Sequence, residues 1–469
     1  MLTVAYLANQ FPSPVEPYVA EEIEELHNRG IRVIAGSVRT VKSDAWRGPR
    51  IVLRPITPLL LFRALGLCLW RWRRISPVIA RVLFCGSEGP IRRIKALIHT
   101  LLGACYAVKL RNQRRVDHIH AHHGFCGSWI AMVAARILGA GFSMTLHGSD
   151  LLLRGDYLDV KLADCRFCLT VSEYNRQYVL ENYPNVDPGK IIVSRLGVDA
   201  HERCNDFLPR QKNDAGKLSL LAVGRLHKVK DHAFLVRACA QLKEHGVHFE
   251  CSIAGDGPER RKLHALIRKF SLDESVALLG HISRDQMDSL YDRADLIVLT
   301  SRSEGIPLVL MEAMARGKIV LAPAITGIPE LVQNRKTGFL YEAGSMEDFL
   351  RRLFLVNSLL HNKIQPKAAE IPDPPPYRFS RTARQLDWIR HAATVQVHHN
   401  FNRKTNLKSF GDLFIARIAM RIENLHENPV LQQVQLPLQR NRSVPVRVNG
   451  TDALAGARSS PVLHGGSAG

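Results

Sequence analysis

The 469-residue chain is short of several things, and each shortage excludes something. Its nine cysteines are an odd number, widely scattered. They are too few for the disulfide framework of a loop-rich secreted domain, and they suit a reducing cytosol. The one Cys-x-x-Cys, Cys165-Arg-Phe-Cys168, lies in an apolar, strand-like run without a second pair at zinc-finger spacing. Plain core cysteines are expected there. No long hydrophobic run is present. The longest, Pro58–Trp70, is broken by Arg63 and is shorter than the about 20 residues that a spanning helix needs. The start, MLTVAYLANQ, lacks a basic n-region and a small-residue cleavage site. It reads as a first strand, not a signal peptide. Acids are also scarce: 43 Asp and Glu against 64 Lys and Arg leave a formal charge of +21. A surface of that sign attracts polyanions, whether nucleic acid, anionic lipid or nucleotide phosphates.

Hydrophobic residues make up 46% of the chain, enough for real cores, and the length suggests two large domains plus extras. The charge is concentrated. Residues 50–115 hold fourteen Lys or Arg and a single acid, Glu88. The same stretch carries Leu59, Leu60, Leu61, Phe62, Leu65, Leu67, Leu69, Trp70 and Trp72. Aromatic and aliphatic groups beside arginines suit a helix lying in an anionic membrane interface. A domain-surface helix with a solvated basic face is the alternative.

Strand-length apolar runs occur at Leu2–Leu7, Ile31–Val38, His118–Ala121, Phe142–Leu146 and Phe167–Val171, with helical patterns between them such as Glu16–Asn28 and Ser128–Leu138. A second series starts near Lys217, with strands at Leu218–Val223, Phe249–Ala254, Val276–Leu279, Leu296–Thr300 and Ile319–Ala322. The alternation predicts an α/β fold of two Rossmann-like, doubly wound domains facing a central cleft. The expected organisation is a first domain over 1–198, a linker over 199–216, a second domain over 217–370, a crossover helix over 371–393 and a largely disordered tail over 394–469.

The most specific motif is Ser301-Arg-Ser-Glu-Gly-Ile-Pro-Leu-Val-Leu-Met-Glu312. Glu304 and Glu312 flank a strand-to-helix turn. Gly305 lets the backbone approach a ligand, and Pro307 suits a first helical turn. The helix from Leu308 aims free N–H groups at an anion, and two carboxylates beside that anion site are placed to accept from sugar hydroxyls. A second cluster, Gly224-Arg-Leu-His-Lys-Val-Lys-Asp231, follows a strand with cations at the cleft. Arg225 offers a fork for phosphate oxygens and Lys230 a point charge, with Lys228 as an alternate. A third is Thr145-Leu-His-Gly-Ser-Asp150 at a strand end. Upstream, Asp117-His-Ile-His-Ala-His-His123 sets His118, His120 and His122 on one strand face, conceivable as a metal site by ligand type. No carboxylate or cysteine follows at metal spacing, and no metal is expected.

Taken together, these motifs resemble glycosyltransferase family four, the retaining, nucleotide-sugar-dependent enzymes of the GT-B fold, and among them the exopolysaccharide transferases of colanic-acid type. The likeness rests on Glu-Gly-x-Pro-x-x-x-x-Glu-Ala at 304–313, continuing through Gly317, Gly327, Pro329-Glu330 and Thr337-Gly338. It covers roughly residues 1–390 and is strongest over 217–345. It implies that Glu304 faces the donor sugar, that Glu312 holds the nucleotide ribose, and that the turn Gly305, Ile306, Pro307 and Leu308 lines the donor site. It implies that Arg225 and Lys230 clamp the diphosphate, although Asp231 replaces the usual glycine. His147 of His-Gly-x-Asp would contact the donor sugar near the reacting carbon. His120 belongs to the family's His-x-His-Ala-His pattern and is expected on the substrate side. Phe11-Pro-Ser-Pro-Val-Glu16-Pro-Tyr18 resembles the first-strand loop, with Val15 and Pro17 replacing the usual Ser and Thr and Glu16 kept for the acceptor side. No Asp-x-Asp occurs, so the metal-bridged diphosphate of the other main glycosyltransferase fold is not indicated.

The expected activity is sugar transfer from a nucleotide-diphosphate donor to a hydroxyl on a glycan or lipid-linked acceptor, in exopolysaccharide or cell-surface glycan synthesis. No cofactor is expected, nor nucleic acid as partner. The expected location is cytoplasmic, peripheral on the inner face of the cell membrane. Two alternatives differ in class: another GT-B enzyme such as a nucleotide-sugar 2-epimerase, which needs no acceptor, and a non-catalytic basic nucleic-acid binder.

Overall fold

The computed structural model describes residues 2–13, 16–40, 46–113, 115–153, 155–199, 217–360 and 381–423. The expected linker, apart from Asp199, lies outside these residues. Met1–Met420 forms one compact unit.

The first half builds β1 (Thr3–Ala8), α1 (Tyr18–Asn28), β2 (Arg32–Ser37), β3 (Arg50–Val52), α2 (Pro58–Trp70), α3 (Trp72–Phe84), α4 (Pro90–Arg111), β4 (His118–His122), α5 (Cys126–Leu138), β5 (Gly141–Leu146), α6 (Ser149–Leu152), α7 (Leu158–Asp164), β6 (Phe167–Thr170), α8 (Glu173–Asn182) and β7 (Ile191–Val193). The strands form one parallel sheet in the order β3-β2-β1-β4-β5-β6-β7. Helices cover both faces, so β1, β4, β5 and β6 are buried along their whole length.

The second half builds β8 (Leu218–Val223), α9 (His232–Glu244), β9 (Phe249–Ala254), α10 (Arg260–Lys269), β10 (Val276–Gly280), α11 (Arg284–Arg293), β11 (Leu296–Val298), α12 (Leu308–Ala315), β12 (Ile319–Pro323), α13 (Ile328–Leu331), β13 (Phe339–Tyr341) and α14 (Met346–Leu360). Its sheet is parallel too, in the order β10-β9-β8-β11-β12-β13. In each sheet the winding reverses once, between β1 and β4 and between β8 and β11. Such a reversal leaves a crevice at the carboxyl ends of the strands.

The end of the described chain departs from the sequence expectation. Of the tail expected to be largely disordered, residues 394–400 and 403–423 are helical, within α15 (Arg381–Asn400) and α16 (Arg403–Glu423), and residues 424–469 lie outside the described residues. Ala393 and Val397 of α15 pack into the second domain's core with Ile328 and Met314. Phe410, Phe414 and Ile418 of α16 pack under the first sheet with Tyr6, Ile23 and Phe167. A helical apolar period is readable in the sequence only from Leu413, yet α16 begins at Arg403, and its three aromatic and aliphatic anchors are almost fully buried. Cys165 and Cys168 are both buried in the first core, and burial drives the Cys165 thiol up to about 12.

Candidate active site

The loops that leave the two reversals carry the polar residues singled out from the sequence. From the first sheet come Glu16 after β1, His122 and His123 at the end of β4, and His147 after β5. From the second come Arg225 and Lys230 after β8 and Ser301–Leu308 after β11. The two sets meet at backbone distance. A Cβ built on Gly305 would lie 1.9 Å from the His147 carbonyl oxygen, and one on Gly148 would lie 2.8 Å from the Gly305 nitrogen. Gly148 also has φ +132°, a conformation open to glycine. The His-Gly and Glu-Gly pairs are therefore two sides of one contact.

Asp150 fastens the first side. It is fully buried and accepts from the backbone N–H groups of Gly124 (2.7 Å), His147 (3.0 Å) and Gly148 (2.8 Å). The His147 side chain stacks on Tyr18, with ring centroids 5.0 Å apart. Its Nε2 lies 3.0 Å from His122 Nδ1, and His122 Nε2 lies 2.8 Å from Oε2 of the buried Glu22. Tyr6 O–H also donates to Glu22. With Glu22 ionised, this set is satisfied when His122 donates through Nε2 and accepts at Nδ1 from His147 Nε2–H. His147 then keeps Nδ1 as its free acceptor. Burial holds His147 well below the ordinary histidine range, with His123 and His122 adding to the effect, so its imidazole is neutral.

Glu16 and His123 make a second pair on this side, 3.0 Å apart. Burial works to lower the His123 pKa. The bond to Glu16 and the charges of Asp150 and Glu16 outweigh it, and the net value lies above 6.5. Burial likewise pushes Glu16 upward, but the His123 bond and nearby positive charge leave it below 4.5. Arg225 from the second domain acts on both groups, which places its charge across the cleft from them. The linkage signs follow. The His123 contribution to stability is complete below 6.5 and is lost as pH rises through its raised value. The Glu16 contribution is present above 4.5 and is lost as pH falls through its lowered one. His123→Gln is therefore expected to lower Tm by about 2–4 °C near about pH 5.5, with the gap closing toward about pH 8.5. Melting curves across pH check this; a gap that widens with rising pH would contradict the pairing.

On the second side Lys230 Nζ donates to Glu304 Oε1 at 2.5 Å. The Glu304 backbone carbonyl accepts from Thr326 Oγ1 at 2.6 Å. Glu312 Oε2 accepts from Tyr291 O–H at 2.8 Å, which anchors that carboxylate on α12. Ile306 is buried and belongs to the core under α12, so the turn rests on a fixed base. Arg225 is exposed, and among the described residues no hydrogen bond or ion pair engages its side chain.

One expected site residue is not at the cleft. His120 is fully buried, and both ring nitrogens meet hydroxyls, Nδ1 at Ser143 Oγ (2.7 Å) and Nε2 at Thr145 Oγ1 (3.0 Å). It supports the layer beneath His122 and presents no atom to a substrate. His118 is buried beside it, and desolvation takes it down to about 3. Glu22, His120 and His122 offer ligand atoms within 4.8 Å of one another, yet the hydroxyl partners already occupy His120. Sequence reasoning missed Glu22, His122, His123 and Tyr18 as members of the site. The double histidine after His-Ala was the available signal. Glu330, read in the sequence only as part of the family match, accepts from the N–H groups of Glu173 (3.0 Å) and Tyr174 (2.8 Å) and so caps α8 from the other domain.

Comparison with known proteins follows the same division. The family described as "Glycosyl transferases group 1" matches residues 206–371, and "Glycosyltransferase Family 4" matches residues 86–202. An alpha-D-kanosaminyltransferase of Streptomyces kanamyceticus is 30% identical over 404 residues, covering 78% of this chain and 96% of that protein. A putative colanic acid biosynthesis glycosyltransferase of Escherichia coli is 37% identical over 184 residues, 38% of this chain. That match spans 44% of the relative's length. Among solved structures, Anabaena HepE in complex with UDP and glucose aligns with a TM-score of 0.60 over 89% of this chain and 100% of its own, at 16% identity.

Proposed function

The chain belongs to glycosyltransferase family 4, and from that premise we propose that it moves a sugar from a nucleotide-diphosphate donor to a hydroxyl acceptor with retention of anomeric configuration. The observation that carries this reading is the meeting of His147 and Gly305 across the cleft, which sets the neutral imidazole and Glu16 on one side against Arg225, Lys230, Glu304 and Glu312 on the other. The leaving group is a diphosphate, and its charge grows as the glycosidic bond breaks. Preorganised cations and N–H dipoles aimed at it lower that barrier. Arg225, Lys230 and the N-terminus of α12 have this role. Glu304, oriented by Lys230, takes donor-sugar hydroxyls, and Glu312, oriented by Tyr291, takes the ribose. His147 lies beside the reacting carbon with its Nδ1 as acceptor, and Glu16 serves the acceptor side. Among the described residues no group in the cleft is set up as a covalent nucleophile, which favours displacement on the face of the leaving phosphate, with that phosphate taking the acceptor's proton. The name of the Escherichia coli relative supports an exopolysaccharide product, and the Anabaena structure supports a uridine nucleotide donor.

The test is a thermal-shift panel of UDP, GDP, ADP and their sugars, followed by release of free nucleoside diphosphate with and without acceptor. A ligand at about 100 times its Kd adds about 2.7 kcal/mol to native stability, so a true donor gives an unmistakable rise in Tm. Release is expected to need acceptor and to persist in EDTA. Release without acceptor would favour the epimerase, and Mg²⁺-reversible loss in EDTA would overturn the protein-cation clamp.

The acceptor in this reading is lipid-linked, and the protein works on the inner face of the cell membrane. Helices α2–α4 support that. Leu59, Phe62, Leu65 and Leu69 of α2, Trp72 and Phe84 of α3, and Ile91, Ile94 and Ile98 of α4 are all exposed. Single exposed apolar residues are ordinary, but a contiguous belt rimmed by arginines is not. Among the described residues, no helix is long and apolar enough to cross a membrane, so this belt would lie in the interface. Sedimentation with anionic vesicles is expected to carry the protein down, with less recovered at high salt. Equal partition into neutral vesicles, or none into either, would leave α2–α4 as a solvated surface.

A further inference from the structure

We propose that the groove around Trp70, where the C-terminal ends of α2, α4 and α5 converge, binds the phosphate headgroup of an anionic phospholipid. The proposal rests on the membrane reading above and adds to it a defined site, away from the cleft. Trp70 is 64% exposed, an unusual place for an indole. Arg71 lies over its ring with Cζ 4.1 Å from the centroid, and Arg111 with Cζ at 5.3 Å. Two cavities flank the ring and share Leu67, Trp70 and Arg111: one of about 560 Å³ that reaches Arg63, and one of about 210 Å³ that reaches Arg71 and Arg115. Four guanidinium-bearing residues thus line one aromatic groove.

The charge of three of them is uncompensated. Among the described residues, no carboxylate or carbonyl meets the side chains of Arg63, Arg71 or Arg111. The Arg71 Nε is buried without a hydrogen-bond partner. Arg115 has only a long contact to Asp117, at 3.8 Å. Arginines at helix C-termini often serve the terminal carbonyls, and neighbouring Arg74 does so, donating to Arg136 O at 3.2 Å. The Trp70 group does not. Like charges gathered without an acid repel, and a phosphate matches the planar donor forks of guanidinium. The aliphatic belt selects the form of that phosphate. Leu69 is exposed one residue before Trp70, and Leu65 and Phe62 continue along α2. An anion bound at the ring would have acyl chains beside it, as a phospholipid does and a free ion does not.

The groove is distinct from the cleft. As the helix leading into β4, α4 runs antiparallel to the strands, so its last residue, Arg111, lies at the end of the sheet opposite the active site. Its 22 residues make α4 about 33 Å long. A headgroup held there would fix one end of the belt and thereby the tilt of the cleft over the bilayer.

The test compares two charge-matched variants, both at exposed positions where folding should be unaffected, as melting curves will show. Arg63→Gln with Arg111→Gln removes two groove cations; Arg73→Gln with Lys95→Gln removes two on the same face outside it. Binding is measured to phosphatidylcholine vesicles containing about 30 mol% phosphatidylglycerol, at about 0.1 M and about 0.5 M NaCl. At low salt both pairs weaken binding, because each surface cation attracts the bilayer. At high salt diffuse attraction is screened, and the groove pair is expected to cost at least about tenfold while the outer pair costs under about twofold. Equal losses at both salts would overturn the headgroup site yet leave the membrane reading standing. Failure of the unaltered protein to bind any vesicle would defeat both. Displacement of bound vesicles by millimolar inorganic phosphate, or tighter binding of single-stranded RNA than of vesicles, would assign the groove to another anion and overturn the lipid.

Discussion

Gly305→Ala is expected to lower kcat by about a hundredfold or more while leaving each domain folded. The added methyl would stand 1.9 Å from the His147 carbonyl oxygen and 2.9 Å from Val171 Cγ2. The carbonyl oxygen belongs to a loop held by three bonds to Asp150, so the strain is relieved only by moving the two loops apart. Relief to an ordinary contact needs an opening of more than about 1 Å, and misplacement of that size across a reacting centre commonly costs two orders of magnitude. Gly305 has no positive φ, so the effect comes from space and not from backbone strain. Gly127→Ala in α5, where nothing lies within 4 Å of the new methyl, is the control and should retain activity. Near wild-type kcat in Gly305→Ala would mean that the two loops need not meet during turnover.

Removing the cations is expected to have the next largest effect. Arg225→Ala should cost about 2–4 kcal/mol of transition-state stabilisation, roughly 30- to 1,000-fold in kcat, with a smaller change in donor binding. Lys230→Ala should cost at least as much, because it also leaves the largely buried Glu304 without its 2.5 Å partner. Glu304→Gln should lower turnover more than nucleotide affinity, and combining it with Lys230→Ala should cost much less than the sum, since the two act as one unit. Glu312→Ala should weaken nucleotide binding instead. Additive losses for Lys230 and Glu304 would show that the ion pair is dissolved when the donor is bound.

Part of this site was legible before the structure because it is local. A strand, a glycine turn and a helix start are set by neighbours in the chain, so Gly224–Lys230 and Glu304–Leu308 could be read as loops at strand ends. Of the four three-residue strands, β11 lay inside the longer apolar run Leu296–Thr300 and was legible, whereas β3, β7 and β13 were not, because a run that short has no period. The exposure of Leu59, Phe62 and Leu69 on α2 agrees with a helix read as lying at a surface, but only the packing of α4 and α5 shows that Ala64 and Leu67 take the buried side. His120 illustrates the opposite case. Its place in a motif suggested substrate contact, whereas its strand face turns inward to Ser143 and Thr145.

The sequence alone determined the alternation of strands and helices, the two doubly wound halves and the residue types at each strand end, because hydrophobic period and turn chemistry act over a few residues. Tertiary structure alone decided which of those ends meet. Glu22 reaches His122 across 100 positions, and Glu330 caps α8 across 157. Helix α16 seals the sheet beneath Tyr6 from the far end of the described chain. No local pattern encodes such contacts. They arise where packing brings distant segments together: the buried Glu22 fixes the tautomer of His147 through His122, and the loops after β8 and β11 pair Lys230 with Glu304.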